Sequence, residues 1–576
     1  MLSAAFDQIN QPSSPVCLCP PTVMMPSLGQ HGVLHAAVWG QITDAEGKTV
    51  TADQLCKRAE TEGDKLLAQL RGHYALLLWD AHNRWSWLCA DRFATRRLYY
   101  CVVDGRLWVA DNLQTLRRAL PTPVSIRPQA LVDYLFFHMI PSPETLYEGV
   151  FTLAPAEYLV CTSNGQERRR HWHPRLGQVS NAGERELGQQ LFSTLDTAVG
   201  NLGAGENVGC FLSGGLDSSS IAGLLARHRQ KTPAFSIGFP LEQYNELDYA
   251  RCAVDRFSLD GHEYIMQPQD VVDALPTIVA SMGQPFGNSS VLPTYFCARL
   301  AKDQGIEKLV AGDGGDELFA GNERYAHQLK LERWRQRLGP LVGLLDVALL
   351  KMPWPDRPSL LAKGKSFARQ LKMTIPENLE YYNFFNLIDR QSLFSAEIAA
   401  QADLKGPDRR CQALFDQLDG GDALDRMLFM DWKHTLADND LVKVTSMCQL
   451  AGVDVVYPML DDRLVDFSLQ VPASLKLTPT NLRHLYKQAM TGFLPDKIIH
   501  KSKHGFGLPF GLWTQEHPGL RSLAYDALDT LPRFGFFNRA FIDEVKRLHQ
   551  QEHAKHYGEL VWVLMVLAIW LNEYAD

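Results

Sequence analysis

The stretch from Asn207 to Ser220 limits what this chain can fold into more than any other. An apolar run, Asn207 to Leu212, reads as a short buried strand; it breaks at Ser213 into Gly214-Gly215 and passes through Leu216-Asp217 into Ser218-Ser219-Ser220. The residues from Ser218 to His228 have a helical pattern. Glycine lets the backbone N–H groups turn towards an anion, and the start of the following helix adds further N–H donors and the positive end of its dipole. The stretch is therefore read as a pyrophosphate cradle. No Lys-Ser/Thr pair follows the glycines as in the common nucleotide loop, so backbone N–H groups, hydroxyls and a metal held by Asp217 are left to neutralise the phosphates. That pattern favours release of pyrophosphate over transfer of a γ-phosphate.

A second stretch repeats the design. Lys308-Leu309-Val310-Ala311 reads as a short apolar strand and runs into Gly312-Asp313-Gly314-Gly315-Asp316-Glu317-Leu318-Phe319. In a parallel sheet both glycine-rich ends fall on one edge, where Asp217 and Asp316 are expected to share one Mg²⁺ while Asp313 faces the reacting groups.

A chain of 576 residues is too long for one ordinary core, so two domains are expected. With 57 Lys and Arg against 65 Asp and Glu, net −8, there is no global basic surface, which argues against a nucleic-acid binder. Eleven cysteines at irregular spacings match reduced thiols of a cytoplasmic protein, not a disulfide framework. Cys17 and Cys19 form a close pair, but no Cys or His cluster nearby completes a zinc site. The N-terminal residues lack the basic start and apolar run of a signal peptide. The apolar segment Leu560 to Leu571 is shorter than the roughly 20 residues that span a bilayer, so a buried C-terminal helix is expected and no membrane span.

From about residue 30 to 160, short apolar or alternating runs such as His73 to Trp79, Trp85 to Cys89, Leu98 to Val103 and Arg106 to Ala110 are separated by turn residues, which predicts layered antiparallel sheets. The polar stretch Pro174 to Glu184 reads as a linker. Beyond it, Val208 to Leu212, Ala234 to Phe239, His262 to Ile265 and Lys308 to Ala311 alternate with helical patterns, the signature of a parallel sheet covered by helices. Past Leu329 the pattern is mainly helical, including Leu424 to Leu441 and Tyr557 to Asn572.

With these features in hand, the chain resembles the asparagine synthetase superfamily over most of its length. Ser213 to Ser219 is similar to the family's ATP-pyrophosphatase motif and Gly312 to Phe319 to its second loop. Tyr457-Pro458-Met459-Leu460-Asp461 and Lys503-His504-Gly505-Phe506-Gly507-Leu508-Pro509 are similar to two C-terminal signatures. Leu70 to Ala75, Asp91 to Tyr100 and Gly149 to Pro155 resemble segments of the family's glutaminase domain. The resemblance implies an α/β two-domain protein: a layered, β-rich, Ntn-type glutaminase-like domain over residues 1–175, and a parallel-sheet ATP-pyrophosphatase domain with a helical extension over 186–576. It also implies a carbon–nitrogen ligase that adenylates a carboxylate and captures it with an amine, using ATP and Mg²⁺. ATP would meet Leu212, Ser213, Gly214, Gly215, Asp217, Ser218, Ser236, Ile237 and Gly312. Asp217 and Asp316 would hold the metal, Lys503 would stabilise developing negative charge, and Asp313 would act as base.

The chain departs from the family in ways that leave its substrate open. Glutamine-hydrolysing members carry a nucleophilic cysteine at position 2, where this chain has Leu2, and a leucine cannot form a thioester. Processing to expose Cys17 or Cys19 would not restore the expected neighbours. Gly283-Gln284-Pro285 and Asn288-Ser289-Ser290 stand where relatives have carboxylates, and Thr445 and Val456 where many have aspartate and arginine. The acceptor is therefore a small-molecule or peptide carboxylate: aspartate with free ammonia, a peptide closed on its own amine as in lasso-peptide macrolactam synthetases, or a carboxylated sugar of surface-polysaccharide synthesis. A peptide cyclase would need a maturation-protein partner. A non-catalytic ATP-binding scaffold and a tRNA-modifying adenylating enzyme are the readings from other classes.

Overall fold

The computed structural model describes residues 14–22, 24–202, 207–339, 341–342, 360–418, 420–479, 481–501 and 507–575. Two sheets build the N-terminal half. One has the order β1(Val16–Leu18)-β7(Arg106–Ala110)-β6(Tyr99–Val103)-β8(Phe151–Thr152). The other has the order β10(Gly165–Arg170)-β9(Glu157–Thr162)-β5(Trp85–Ala90)-β4(Arg71–Asp80)-β3(Leu34–Thr43)-β2(Ser27–His31).

Alternation of side chains along a strand explains the layering. In β3 and β4, Ala37, Trp39, Ala75, Leu77 and Trp79 point to the four-stranded sheet and pack on Val16, Leu18, Leu107 and Val109. Their neighbours Ala36, Val38, Leu76 and Leu78 point the other way, onto Leu55, Cys56 and Ala59 of the helix Ala52–Glu62. That helix begins with a capping box, Thr51 with Gln54. On the far side of the four-stranded sheet, Tyr99 and Cys101 join the cluster formed by the helices Leu113–Ala119 and Pro128–Phe137. The result is helix, sheet, sheet, helix.

The C-terminal half is built on a parallel sheet with the order β13(Asp260–Ile265)-β12(Pro233–Gly238)-β11(Val208–Phe211)-β14(Lys308–Val310)-β15(Asp454–Val456). The expected strands are present, and β15, just before Tyr457, is a fifth. Connections from β11 lead outward through β12 to β13, whereas β14 and β15 lie on the other side. The direction of winding therefore reverses between β11 and β14, the place where open α/β sheets bind ligands. Val208 pairs with Lys308 and Cys210 with Val310, so the two glycine-rich loops leave the sheet side by side.

The Leu424 to Leu441 pattern is not one α-helix. It starts as the helix Ala423–Asp431, widens into π-type turns over Trp432–Asp440, and continues as the helix Leu441–Ala451. At the C-terminus, the helix Ala554–Tyr574 is long and apolar enough to cross a membrane, yet 67% of its most apolar window is buried inside the protein. Gly558 on it lies against Gly511 of the helix Phe510–Glu516, and a Cβ on either glycine would overlap the facing backbone. Tyr134 of the N-terminal half donates to Val563 O on the same helix at 2.8 Å.

The halves are joined by an ionic seam from the loop after β5. Arg92 pairs with Asp462 and Asp466, each at 2.7 Å, and lies 4.5 Å over the Trp172 ring. Arg96 reaches Asp454 at 2.6 Å and Arg97 reaches Asp438 at 2.9 Å. Asp438 is fully buried, accepts from Ser142 Oγ at 2.7 Å and pairs with Lys433. The Asp91 to Tyr100 segment that resembles a glutaminase motif thus serves here as the lock between the domains. Asp91 holds the loop's shape by accepting from the N–H groups of Tyr74, Phe93 and Thr95.

Candidate active site

Between the two loops lies a cavity of about 580 Å³. Gly312 packs so closely on the first turn of the helix Leu216–His228 that a Cβ there would stand 3.0 Å from Ser218 N. Gly214, at φ +70, lets its loop press on the backbone at Tyr249 and Ala250, where no side chain fits. Ser213 and Ser218 are linked hydroxyl to hydroxyl at 3.0 Å, which fixes the loop between them.

Of the residues expected at the site, Leu212, Ser213, Gly215, Asp217, Ser218, Ile237, Gly312, Asp313 and Asp316 line the cavity. Gly214 shapes the loop from behind. Ser236 donates its hydroxyl to Leu212 O at 2.6 Å and is buried in the sheet, so it braces β11 on β12 and is not part of the lining. Lys503 lies outside the described residues. Phe211, Phe235, Pro293 and Cys297 give one wall an apolar surface suited to a purine.

Asp217 and Asp316 converge on one cation, the guanidinium of Arg483, which donates to Asp217 Oδ1 at 2.8 Å and also pairs with Asp316. Both carboxylates therefore reach a common point. Hard oxygen donors meeting beside a phosphate cradle suit Mg²⁺, so the donor set fits the metal the sequence implied. Gly315 and Gly321 make room for the arrangement, since a Cβ on either would overlap the Asp217 or Asp316 carboxylate. Arg483 itself has φ +55, a left-handed conformation that costs a non-glycine residue about 1–3 kcal/mol. It sits 266 residues from Asp217, just after the small hairpin Leu477–Thr478/Asn481–Leu482. Nothing local in the sequence marks it; only the fold brings it in.

The opposite wall is acidic. Asp313, Glu317 and Asp440 face the cavity with Lys443, which pairs with Asp440 at 2.7 Å. Burial pushes Asp313 up to about 6, and Lys443 only partly opposes it. Burial, with Asp440 and Asp431 nearby, pushes Glu317 up to about 8. Burial also works against the charge on Lys443, but Asp440 and Asp313 outweigh it and raise its pKa. Lys501, at the rim, is buried against Glu246 at 2.9 Å and lies 4.6 Å over the Tyr249 ring. Thr445 shares a 2.7 Å hydrogen bond with Tyr457 OH, and Asn288 donates to Asn439 at 2.7 Å.

The family model for asparagine synthase matches residues 190–572, and one for the glutamine amidotransferase domain matches 47–172. The chain belongs to the asparagine synthase family, whose members are ATP-using carbon–nitrogen ligases, and its N-terminal half carries a glutamine amidotransferase domain. Asparagine synthetase (glutamine-hydrolysing) 1 of Bacillus subtilis is 22% identical over 522 residues, covering 88% of this chain and 78% of the relative. A Mycobacterium tuberculosis protein provisionally named a glutamine-hydrolysing asparagine synthetase is 25% identical over 549 residues, with coverages of 94% and 81%. Amidase chyE of Penicillium rubens is 24% identical over 555 residues, with coverages of 84% and 78%.

Proposed function

We propose that the protein adenylates a carboxylate with ATP, releases pyrophosphate, and passes the acyl group to a nitrogen donor to form an amide and AMP, without hydrolysing glutamine. The observation that carries this reading is the junction at the switch point. Two glycine-rich loops and two converging carboxylates lie between an apolar wall and a wall of proton-accepting groups.

The apolar wall takes the purine, and the N–H groups of the Ser213 to Ser218 loop, at the start of the helix Leu216–His228, take the phosphates. Asp217 and Asp316 would hold Mg²⁺, which supplies charge neutralisation to the phosphates when bound. The acceptor's carboxylate oxygen attacks the α-phosphorus, and pyrophosphate leaves. The amine then attacks the acyl carbon, AMP departs, and Asp313 takes a proton from the nitrogen. With a pKa near 6, Asp313 is ionised at neutral pH and still basic enough to act. Lys503, by its motif, would face the developing oxyanion.

Two observations support an amidotransferase domain that does not hydrolyse glutamine. Leu2 stands where the thiol nucleophile is required. Cys17 and Cys19 belong to the strand region packed on β7, and burial pushes the Cys19 thiol up to about 12, where no useful thiolate forms.

The test is release of AMP and pyrophosphate from Mg-ATP with aspartate, peptide carboxylates and uronic acids, each with ammonium or with glutamine. Acid-dependent release lost in D217N supports adenylation. Release with glutamine but not ammonium would refute the silent amidotransferase domain.

A further inference from the structure

One helix leads from the active-site cavity out to the surface. Glu323, the first residue of the helix Glu323–Leu338, lines the cavity. At about 100° per residue, His327, Lys330, Trp334 and Arg337 follow it along one stripe of that helix, and all four are exposed. Arg333, also exposed, flanks the stripe. Tyr325, Gln328 and Leu331 on the other side are buried and hold the helix in place. From Glu323 to Arg337 the stripe runs about 20 Å, the span of about six residues of extended chain.

The charge of this region runs against that of the whole chain. The helix Glu323–Leu338 and its neighbour Leu360–Lys372, joined where Arg335 Nε donates to Leu371 O at 3.0 Å, carry nine Lys or Arg against two acids, in a protein of net −8. The half-buried arginines are paired, Arg324 with Asp431 and Arg335 with Glu332. Lys330, Arg333 and Arg337 meet no carboxylate among the described residues.

Apolar surface accompanies the charge. Trp334 is 40% exposed, and Leu341, just past the helix end, 54%. Tyr382, 70% exposed, stands near the cavity end of the stripe, because Gln370 bonds both its hydroxyl, at 3.3 Å, and the His327 ring, at 2.7 Å. A single exposed cation is ordinary. A row of three uncompensated cations between aromatic side chains, continuous with a reaction cavity, has the make-up of a track for a chain that carries both negative charge and apolar groups.

We propose that one reactant of the amidation is an extended acidic peptide, whose reacting group enters the cavity past Glu323 while the rest lies along the stripe from His327 to Arg337. The inference rests on the amidation reading above and narrows its substrate to a chain. Lys330, Arg333 and Arg337 take the peptide's carboxylates, and Trp334, Leu341 and Tyr382 take its apolar side chains. Peptide suits these features better than other polyanions do. A nucleic acid or a uronic-acid chain offers Leu341 no apolar partner, and a bilayer would leave the path to the cavity unused.

The probe is a fluorescein-labelled peptide of four Glu-Phe-Gly repeats, with four Lys-Phe-Gly repeats as control, and binding to the full-length protein is read by anisotropy. Binding of the acidic peptide should weaken as salt rises. It should fall about tenfold or more in K330E/R333E/R337E, and severalfold in W334A, with melting temperatures unchanged because these side chains are exposed. With a diazirine at each end, the peptide should crosslink near Trp334 at one end and to cavity residues near Glu323 at the other.

Equal binding of the basic peptide, no loss in the triple variant, or crosslinks that leave the cavity untouched overturn the proposal. Tighter binding of oligogalacturonate, of a single-stranded oligonucleotide or of phosphatidylglycerol vesicles also overturns it, by assigning the stripe to another polyanion. Wild-type protein that binds the peptide along the track yet forms no AMP with any acid refutes adenylation and leaves the peptide site standing, so the two failures are told apart.

Discussion

Arg483→Met removes a side chain that, among the described residues, pairs with both Asp217 and Asp316. Breaking a buried ion pair by deleting one partner costs about 3–5 kcal/mol, chiefly because uncompensated charge is left behind. Here two carboxylates lose their common cation, but each is about a fifth exposed, so water offsets part of the penalty. The expected loss lies at the low end, about 3 kcal/mol. The left-handed backbone at this position is equally unfavourable for methionine and gives nothing back. A divalent cation does not have to displace a guanidinium in the variant. Mg²⁺ at a hundred times its dissociation constant would return about 2.7 kcal/mol, nearly the whole loss. The assay is thermal unfolding with and without MgCl₂, at matched ionic strength and without nucleotide. R483M should melt below the wild type in EDTA, respond more to Mg²⁺ than the wild type does, and lose that response when D217N is added. Wild-type melting of R483M in EDTA, or a Mg²⁺ response no larger than that of the wild type, would refute the shared cation point.

The remaining predictions concern protonation and the domain seam. Because Asp313 must be ionised to accept a proton and its pKa is raised to about 6, amidation should fall about tenfold per pH unit below that value. D313N should remove that limb and lower turnover by about 10²–10⁴, as read from AMP formation across pH. D438N leaves Arg97 and Lys433 buried without their acid and should cost about 3–5 kcal/mol in thermal unfolding. Burial opposes the Asp438 charge, but Lys433 and Arg97 outweigh it and hold its pKa below the usual carboxylate value. Its stabilising contribution is therefore present above the unfolded-state pKa of about 3.9 and is lost as pH falls through its lower folded value. D438N should abolish this acid-sensitive component.

The parts of this protein that could be read in advance are those where chemistry is local. Glycines at two strand ends, and the acids that follow them, mark the cradle because the turn, the helix start and the carboxylates fall within ten residues of one another. Alternation in β3 and β4 likewise shows two buried faces, hence layers. The rest depends on distance along the chain. Arg483 follows a two-residue strand whose only distinction is where it is carried, and Glu317 looks like an ordinary acidic helix start until the helix Gly315–Phe319 is seen to be buried. Ser236, which the resemblance placed at the nucleotide, donates its hydroxyl to Leu212 O within the sheet, a contact that only the pairing of β11 with β12 reveals. The arginines after Asp91 read as part of a segment that resembles the glutaminase domain; their carboxylate partners lie more than 300 residues away, so only the folded seam reveals their use.

The central claim is that the acid is activated on phosphorus before the amide forms. The most direct measurement uses carboxylate oxygens labelled with ¹⁸O in the acid that supports turnover, followed by mass spectrometry of the phosphate products. The account predicts one labelled oxygen in AMP and none in pyrophosphate. Label appearing in inorganic phosphate together with ADP, or AMP formed without label, would contradict it.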